Sequence, residues 1–167
     1  MIKVVLTDCD GVLTDGGVYV GPDGELMKRF SIRDGMGVER LRDAGVVVGI
    51  VSGEQSPALA ARAAKLRITE LHLGVRDKLG VVDDLCRRLG VERAEIAYLG
   101  DDVNDVPAMA AVGLAGAPAD ALPEAREVAD HVCAAPGGHG AFREFAELVL
   151  TGLGRTENRY ERVEERT

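Results

Sequence analysis

The chain has 167 residues, 46% of them hydrophobic, enough for one domain with a substantial core and too few for two comfortable ones. A formal charge of −8, 4% aromatic residues and no Trp exclude a general nucleic-acid or anionic-membrane surface and base-stacking recognition. An anionic small molecule stays open as a partner, because a bound cation can outweigh the mean charge. The three cysteines, Cys9, Cys86 and Cys133, form no CxxC pair and read as reduced, buried thiols of a cytoplasmic protein. Met1 to Leu6 runs straight into an acidic motif with no long apolar stretch, so neither a signal peptide nor a membrane span is expected.

Strand and helix patterns alternate along the chain. The β-branched run Ile2 to Thr7 suits a strand buried on both faces. Val18 to Val20 and Leu26 to Phe30 flank Gly21-Pro22-Asp23-Gly24, a hairpin signature. Asp34 to Asp43 reads as a helix stopped at Gly45, and Val46 to Val51 as the next buried strand. Ser56-Pro57 supplies an N-cap and a first-turn proline to a helix reaching about Leu66. A short strand over Glu70 to Leu73 precedes a helix capped by Asp77 and ending near Gly90. Strands are expected at Ile96 to Leu99 and Val112 to Ala115, with a short helix at Pro107 to Ala111 between them. Gly140 to Leu150 is the last apolar helix. These patterns predict an α/β fold with a doubly wound parallel sheet, a single domain over residues 1–150 and a charged tail over 151–167.

In such a sheet, ligands gather outside the carboxyl ends of the strands. Asp8 and Asp10 follow the first strand, Ser52-Gly53 the second, and Gly100-Asp101-Asp102-Val103-Asn104-Asp105 a later one; Lys78 opens the helix after Asp77. Each alone is an ordinary loop or cap residue. Together they place several carboxylates at one sheet edge, where mutual repulsion calls for a cation. Oxygen ligands with room for water and phosphate favour Mg²⁺ over zinc, which prefers His and Cys. Ser52 and Lys78 offer a hydroxyl and a positive charge to phosphate oxygens. Asp10 can protonate a leaving alkoxide and then activate water, and a carboxylate nucleophile divides hydrolysis into two easier steps.

This four-part pattern resembles the haloacid dehalogenase superfamily of phosphohydrolases over roughly Ile2 to Glu147. The resemblance implies that Asp8 is the nucleophile, that Asp10 is the general acid/base, and that Ser52, Gly53 and Lys78 bind phosphate. It also implies that Asp8, the Asp10 carbonyl and Asp101 ligate Mg²⁺ with support from Asp102 or Asp105. About 40 residues separate Asp10 from Ser52, filled by a hairpin (about 16–30) and one helix, so no cap domain fits.

The segments Asp10–Gly16, Ile32–Gly37, Gly100–Pro107 and Gly137–Glu144 resemble the capless sugar-acid phosphatases. That subfamily acts on 3-deoxy-D-manno-octulosonate 8-phosphate and nine-carbon relatives. The resemblance implies a homotetramer in which the hairpin reaches a neighbour's active site. Ser52-Gly53-Glu54, with Arg62 and Lys65, is similar to the nine-carbon branch, which acts on 2-keto-3-deoxynononate or N-acylneuraminate 9-phosphate. A carboxylate there accepts from sugar hydroxyls while an arginine or lysine meets the substrate carboxylate. The nine-carbon substrate is therefore expected, with the eight-carbon one as the alternative. Arg33 and Asp34 are further substrate-binding candidates. Two non-enzymatic readings compete: a phospho-Asp receiver, whose phosphoacceptor follows a later strand, and a regulatory module on a similar fold.

Overall fold

The computed structural model describes residues 1–152, so nearly all of the expected charged tail falls outside the described residues. The first strand, β1 (Val4–Thr7), leads into a hairpin of β2 (Tyr19–Gly21) and β3 (Gly24–Met27). Then come α1 (Ile32–Asp43), β4 (Val47–Val51), α2 (Pro57–Lys65), β5 (Glu70–His72) and α3 (Lys78–Leu89). The second half holds β6 (Ile96–Leu99), α4 (Val106–Met109), β7 (Leu114–Ala117), α5 (Pro123–Val128), β8 (His131–Val132) and α6 (Ala141–Gly152).

Six strands form one parallel sheet in the order β5-β4-β1-β6-β7-β8. The chain builds outward from β1 through β4 and β5, then returns to the other side of β1 and builds outward again. That reversal opens a crevice at the carboxyl ends of β1 and β6. Alternate strand residues face opposite layers. Val5, Val48, Ile50, Ala97 and Leu99 pack against α1, α2 and α6, while Val4, Leu6, Val51, Ile96 and Tyr98 pack against α3, α4 and α5. Covered on both faces, the sheet accepts the continuous apolar runs that the sequence shows.

Local chemistry sets the element ends. Ser56 Oγ accepts from Leu59 N at 3.1 Å and Asp77 from Gly80 N at 2.9 Å, each at the start of a helix. Gly45, just past α1, has φ +79°, a conformation that L side chains rarely adopt. Gly37 serves packing instead: a Cβ there would stand 3.1 Å from Arg143 Cα, so its absence lets α1 lie close to α6.

Several expectations shift. α1 begins at Ile32 rather than Asp34, and the hairpin strands close around Pro22-Asp23. β7 begins at Leu114 rather than Val112; the Gly113 amide just before it is shared between the Ile96 carbonyl of β6 and the Arg93 carbonyl of the preceding turn. α5 and β8 went unforeseen. β8 has two residues, too few to display a period, and α5 buries only Ala125. No helix among the described residues is long and apolar enough to cross a membrane.

Phe145 is fully buried against Gly116 of β7 and Leu99 of β6. Phe145→Ala is expected to cost about 3–5 kcal/mol, read from the urea midpoint. A loss below about 1 kcal/mol would mean that α6 is not a core element.

Candidate active site

The segment after β1 is a tight loop. The Cys9 carbonyl receives the amides of Val12, Leu13 and Thr14 at 3.2, 2.9 and 3.1 Å, and Thr14 Oγ1 receives those of Gly11 and Gly16. Gly11, at φ +88°, brings its backbone against the Asp101 carboxylate, where any Cβ would collide. The loops after β1 and β6 therefore meet at the crevice.

Lys78 is the cation of this meeting point. It is 2% exposed, and its Nζ donates to Asp8 Oδ1 at 2.8 Å and Asp105 Oδ1 at 2.6 Å. Asp105 is fully buried and fully engaged. Tyr98 OH also donates to its Oδ1 at 2.8 Å, and the amides of Asp101 and Asp102 donate to its Oδ2 at 3.0 and 3.3 Å. Asp105 thus holds Lys78 and shapes the loop after β6. Asp102 turns to the amide of Val103 at 2.6 Å.

Ligand oxygens of Asp8, Asp101 and Asp105 lie within 4.8 Å of one another. Two unit charges about 4 Å apart repel by about 4 kcal/mol at an effective dielectric near 20, so one lysine does not balance three carboxylates. Burial, followed by the neighbouring Asp105, pushes Asp8 up to about 6 despite Lys78. Burial, followed by Asp8 and Asp105, pushes Asp101 up to about 8. Asp101 Oδ1 is buried with no hydrogen-bond partner. An orphaned carboxylate oxygen beside a second carboxylate fits a hard, oxygen-seeking cation, and Asp8 and Asp101 are the residues placed to hold Mg²⁺.

Asp10 faces the hairpin. Lys28, directly after β3, donates to Asp10 Oδ1 at 2.6 Å and lies 3.4 Å from Glu25 Oε2. Ser52, 1% exposed, follows β4, beside β1 in the sheet; its Oγ receives Glu54 N at 3.2 Å, and Gly53 next to it is exposed. Lys28, Glu25 and Tyr98 were not singled out in the sequence. A buried tyrosine in an otherwise apolar strand was the available signal, since its hydroxyl needs a partner.

Of the substrate candidates, the fold brings Arg62 and Asp34 together along one small pocket beside Ser31 and Phe30. Arg62 donates to the Ser31 carbonyl at 3.0 Å and lies over the Phe30 ring at 5.9 Å, tying α2 to the residues before α1. Glu54 and Lys65 are exposed, Glu54 at the rim beside Ser52. Arg33 is exposed, whereas Asp34 is buried and accepts from Arg143 N at 2.9 Å, fixing the start of α6. A second metal-capable group, His131, Cys133 and Glu144, serves as a loop clamp. Both Glu144 oxygens receive backbone amides, from Ala134 and Ala135, and burial pushes the Cys133 thiol up to about 12. Cys9 and Cys133 are buried as expected; Cys86 is only partly so.

A doubly wound sheet with paired carboxylates, a buried lysine and a hydroxyl at its switch point defines a metal-dependent phosphoryl-transfer protein. Residues 25–113 match the haloacid dehalogenase-like hydrolase family model, and the chain belongs to that family. A 3-deoxy-D-manno-octulosonate 8-phosphate phosphatase, KdsC, from Haemophilus influenzae is 43% identical over 155 residues, 93% of this chain and 86% of the relative. The cobalt-bound structure of the Haemophilus influenzae phosphatase superposes with a TM-score of 0.89 at 44% identity, covering 92% of this chain and 90% of that one. The Moraxella catarrhalis enzyme, solved with magnesium, phosphate and the sugar acid KDO, gives 0.87 at 34% identity, covering 90% and 86%. The chain is thus a capless phosphoric monoester hydrolase of this family, with Mg²⁺ as its cofactor.

The carboxylate repulsion has a measurable sign. Without metal, folded Asp8 and Asp101 keep protons up to about pH 6 and about pH 8 that the unfolded chain has already released. The folded state then binds more protons, so stability in chelator falls as pH rises from about 4 to about 8. Asp101→Asn is expected to flatten that slope and to melt above the wild type at pH 8 in chelator, while losing stabilisation by Mg²⁺. An unchanged slope in that variant, followed by thermal melting, would contradict the assignment.

Proposed function

We propose that the chain hydrolyses 3-deoxy-D-manno-octulosonate 8-phosphate through an aspartyl phosphate on Asp8. The observation that carries this reading is the buried Asp8 at the mouth of the crevice, one oxygen held by Lys78 at 2.8 Å. Fixing Oδ1 leaves Oδ2 to attack phosphorus, and the carboxylate does not rotate away from the line of attack. The P–O bond to the sugar breaks as the bond to Asp8 forms. Asp10 delivers a proton to the departing alkoxide and then takes one from the water that cleaves the aspartyl phosphate. Ser52 and Lys78 donate to the phosphoryl oxygens as charge develops there. When bound at Asp8, Asp101 and the Asp10 carbonyl, Mg²⁺ supplies charge neutralisation for phosphate and carboxylate alike.

The eight-carbon substrate displaces the nine-carbon one expected from Glu54, Arg62 and Lys65. Support for it comes from relatives of that activity that span nearly the whole chain, and from an Arg62 already engaged with Ser31 and Phe30. The homotetramer expected from the resemblance draws support from the hairpin's exposed apolar face. Val18, Tyr19, Val20, Leu26 and Met27 of the hairpin are 48–69% exposed, an apolar patch suited to a neighbour's surface.

Asp8→Asn is expected to lower Mg²⁺-dependent phosphate release by more than about 10³-fold with an unchanged circular dichroism spectrum. In a panel of eight- and nine-carbon sugar-acid phosphates, the eight-carbon substrate is expected to lead in kcat/KM by at least about tenfold. Retained turnover in the variant would overturn the nucleophile, and a nine-carbon lead would overturn the substrate. Val20→Asp with Leu26→Asp is expected to convert a tetramer into smaller species of lower kcat/KM, followed by light scattering and assay. A fully active wild-type monomer would refute the shared site.

A further inference from the structure

We propose that Lys28, carried by the hairpin, is the positioning residue that fixes the orientation of the Asp10 carboxyl. The inference rests on the reading of Asp10 as the acid/base and adds a residue to it.

The Lys28 side chain is only 3% exposed, although it follows a strand whose Leu26 and Met27 lie in the open. A lysine is buried where carboxylates receive it, and here two do so from separate segments. Asp10 Oδ1 is 2.6 Å from Nζ and Glu25 Oε2 is 3.4 Å from it. Glu25 is itself anchored, since its Oε1 accepts from Ser56 Oγ at 2.7 Å and Ala58 N at 3.3 Å at the start of α2. Arg29 adds a third tie, donating to the Gly138 carbonyl at 3.1 Å, while Gly138 N donates to the Val12 carbonyl at 2.9 Å. The hairpin base is therefore stitched to the loop after β1, to the helix that follows Ser52 and to the loop before α6.

Asp10 needs such a hold. Its side chain is 30% exposed in a crevice open to water, and the bond from Lys28 is its side-chain hydrogen bond among the described residues. Proton transfer requires the donor within about 2.6–3.2 Å of the leaving oxygen, so a carboxylate free to sample other rotamers loses rate. Lys28 engages Oδ1, is itself held by Glu25, and leaves Oδ2 for the leaving group. Among the described residues, no strand of the six-stranded parallel sheet supplies a side chain to this hold. It is set by the hairpin.

The test separates proton delivery from general damage. Phenyl phosphate and 4-nitrophenyl phosphate share a shape and lack sugar groups that Lys28 might bind; the nitrophenolate leaves with little need of a proton. Their kcat/KM values report only steps up to cleavage of the P–O bond to the leaving group. Lys28→Met is expected to lose about tenfold more on phenyl phosphate than on 4-nitrophenyl phosphate, with Lys28→Arg recovering most of the difference. Asp10→Asn is the reference. If it shows no leaving-group selectivity, the acid role of Asp10 fails and this inference with it. If Asp10→Asn is selective while Lys28→Met loses equally on both substrates, or on neither, the positioning role is overturned and the acid role stands.

Discussion

The structure turns on an imbalance of charge. Asp8, Asp101 and Asp105 converge at the carboxyl ends of β1 and β6, and Lys78 is the buried cation placed among them. Asp101 Oδ1 is buried without a hydrogen-bond partner in the midst of this charge cluster, where a cation would satisfy it. The repulsion is tolerated because the site is shaped for a further positive charge and for the phosphoryl group that comes with it. Each nearby device serves that arrangement: Tyr98 and two loop amides saturate Asp105, Asp105 fixes Lys78, and Lys78 fixes Asp8. Gly11 lets the two loops touch.

The missing cap gives the hairpin its importance. In this chain the residues between β1 and α1 carry both a buried ion-pair base, Glu25 and Lys28, and an exposed apolar surface from Val18 to Met27. One end orders the site of its own protomer and the other is free to meet a neighbour. The proposed subunit contact and the proposed acid/base geometry would then share one short element.

Much of this was legible in the sequence because it is local. The buried strands read from unbroken β-branched runs, the helix starts from Ser56 and Asp77, and the site from acidic and hydroxyl residues directly after strands. What escaped depends on tertiary placement. β8 is too short to show a pattern, and β7 starts two residues later than its apolar run suggests, after a Gly113 amide shared between Arg93 and Ile96. Lys28 looks in sequence like any hairpin lysine, since its partner Asp10 lies 18 residues away. Glu54, Arg62 and Lys65 read as a selector through their resemblance to the nine-carbon branch. In the fold Arg62 joins α2 to Ser31 and Phe30 and lines a small pocket with Asp34, a placement that needs tertiary structure to see. Asp34 Oδ1 accepts from Arg143 N and fixes the start of α6, while its Oδ2 is buried without a partner.

On the proposed mechanism, this charge arrangement makes Asp8 the phosphoryl acceptor. Borohydride reduction during turnover converts an aspartyl phosphate to homoserine, which peptide mass spectrometry locates. Homoserine is expected at position 8, formed only with Mg²⁺ and substrate present. Reduction at Asp10 or Asp101 instead, or an unmodified Asp8 in an enzyme trapped while turning over, would contradict it.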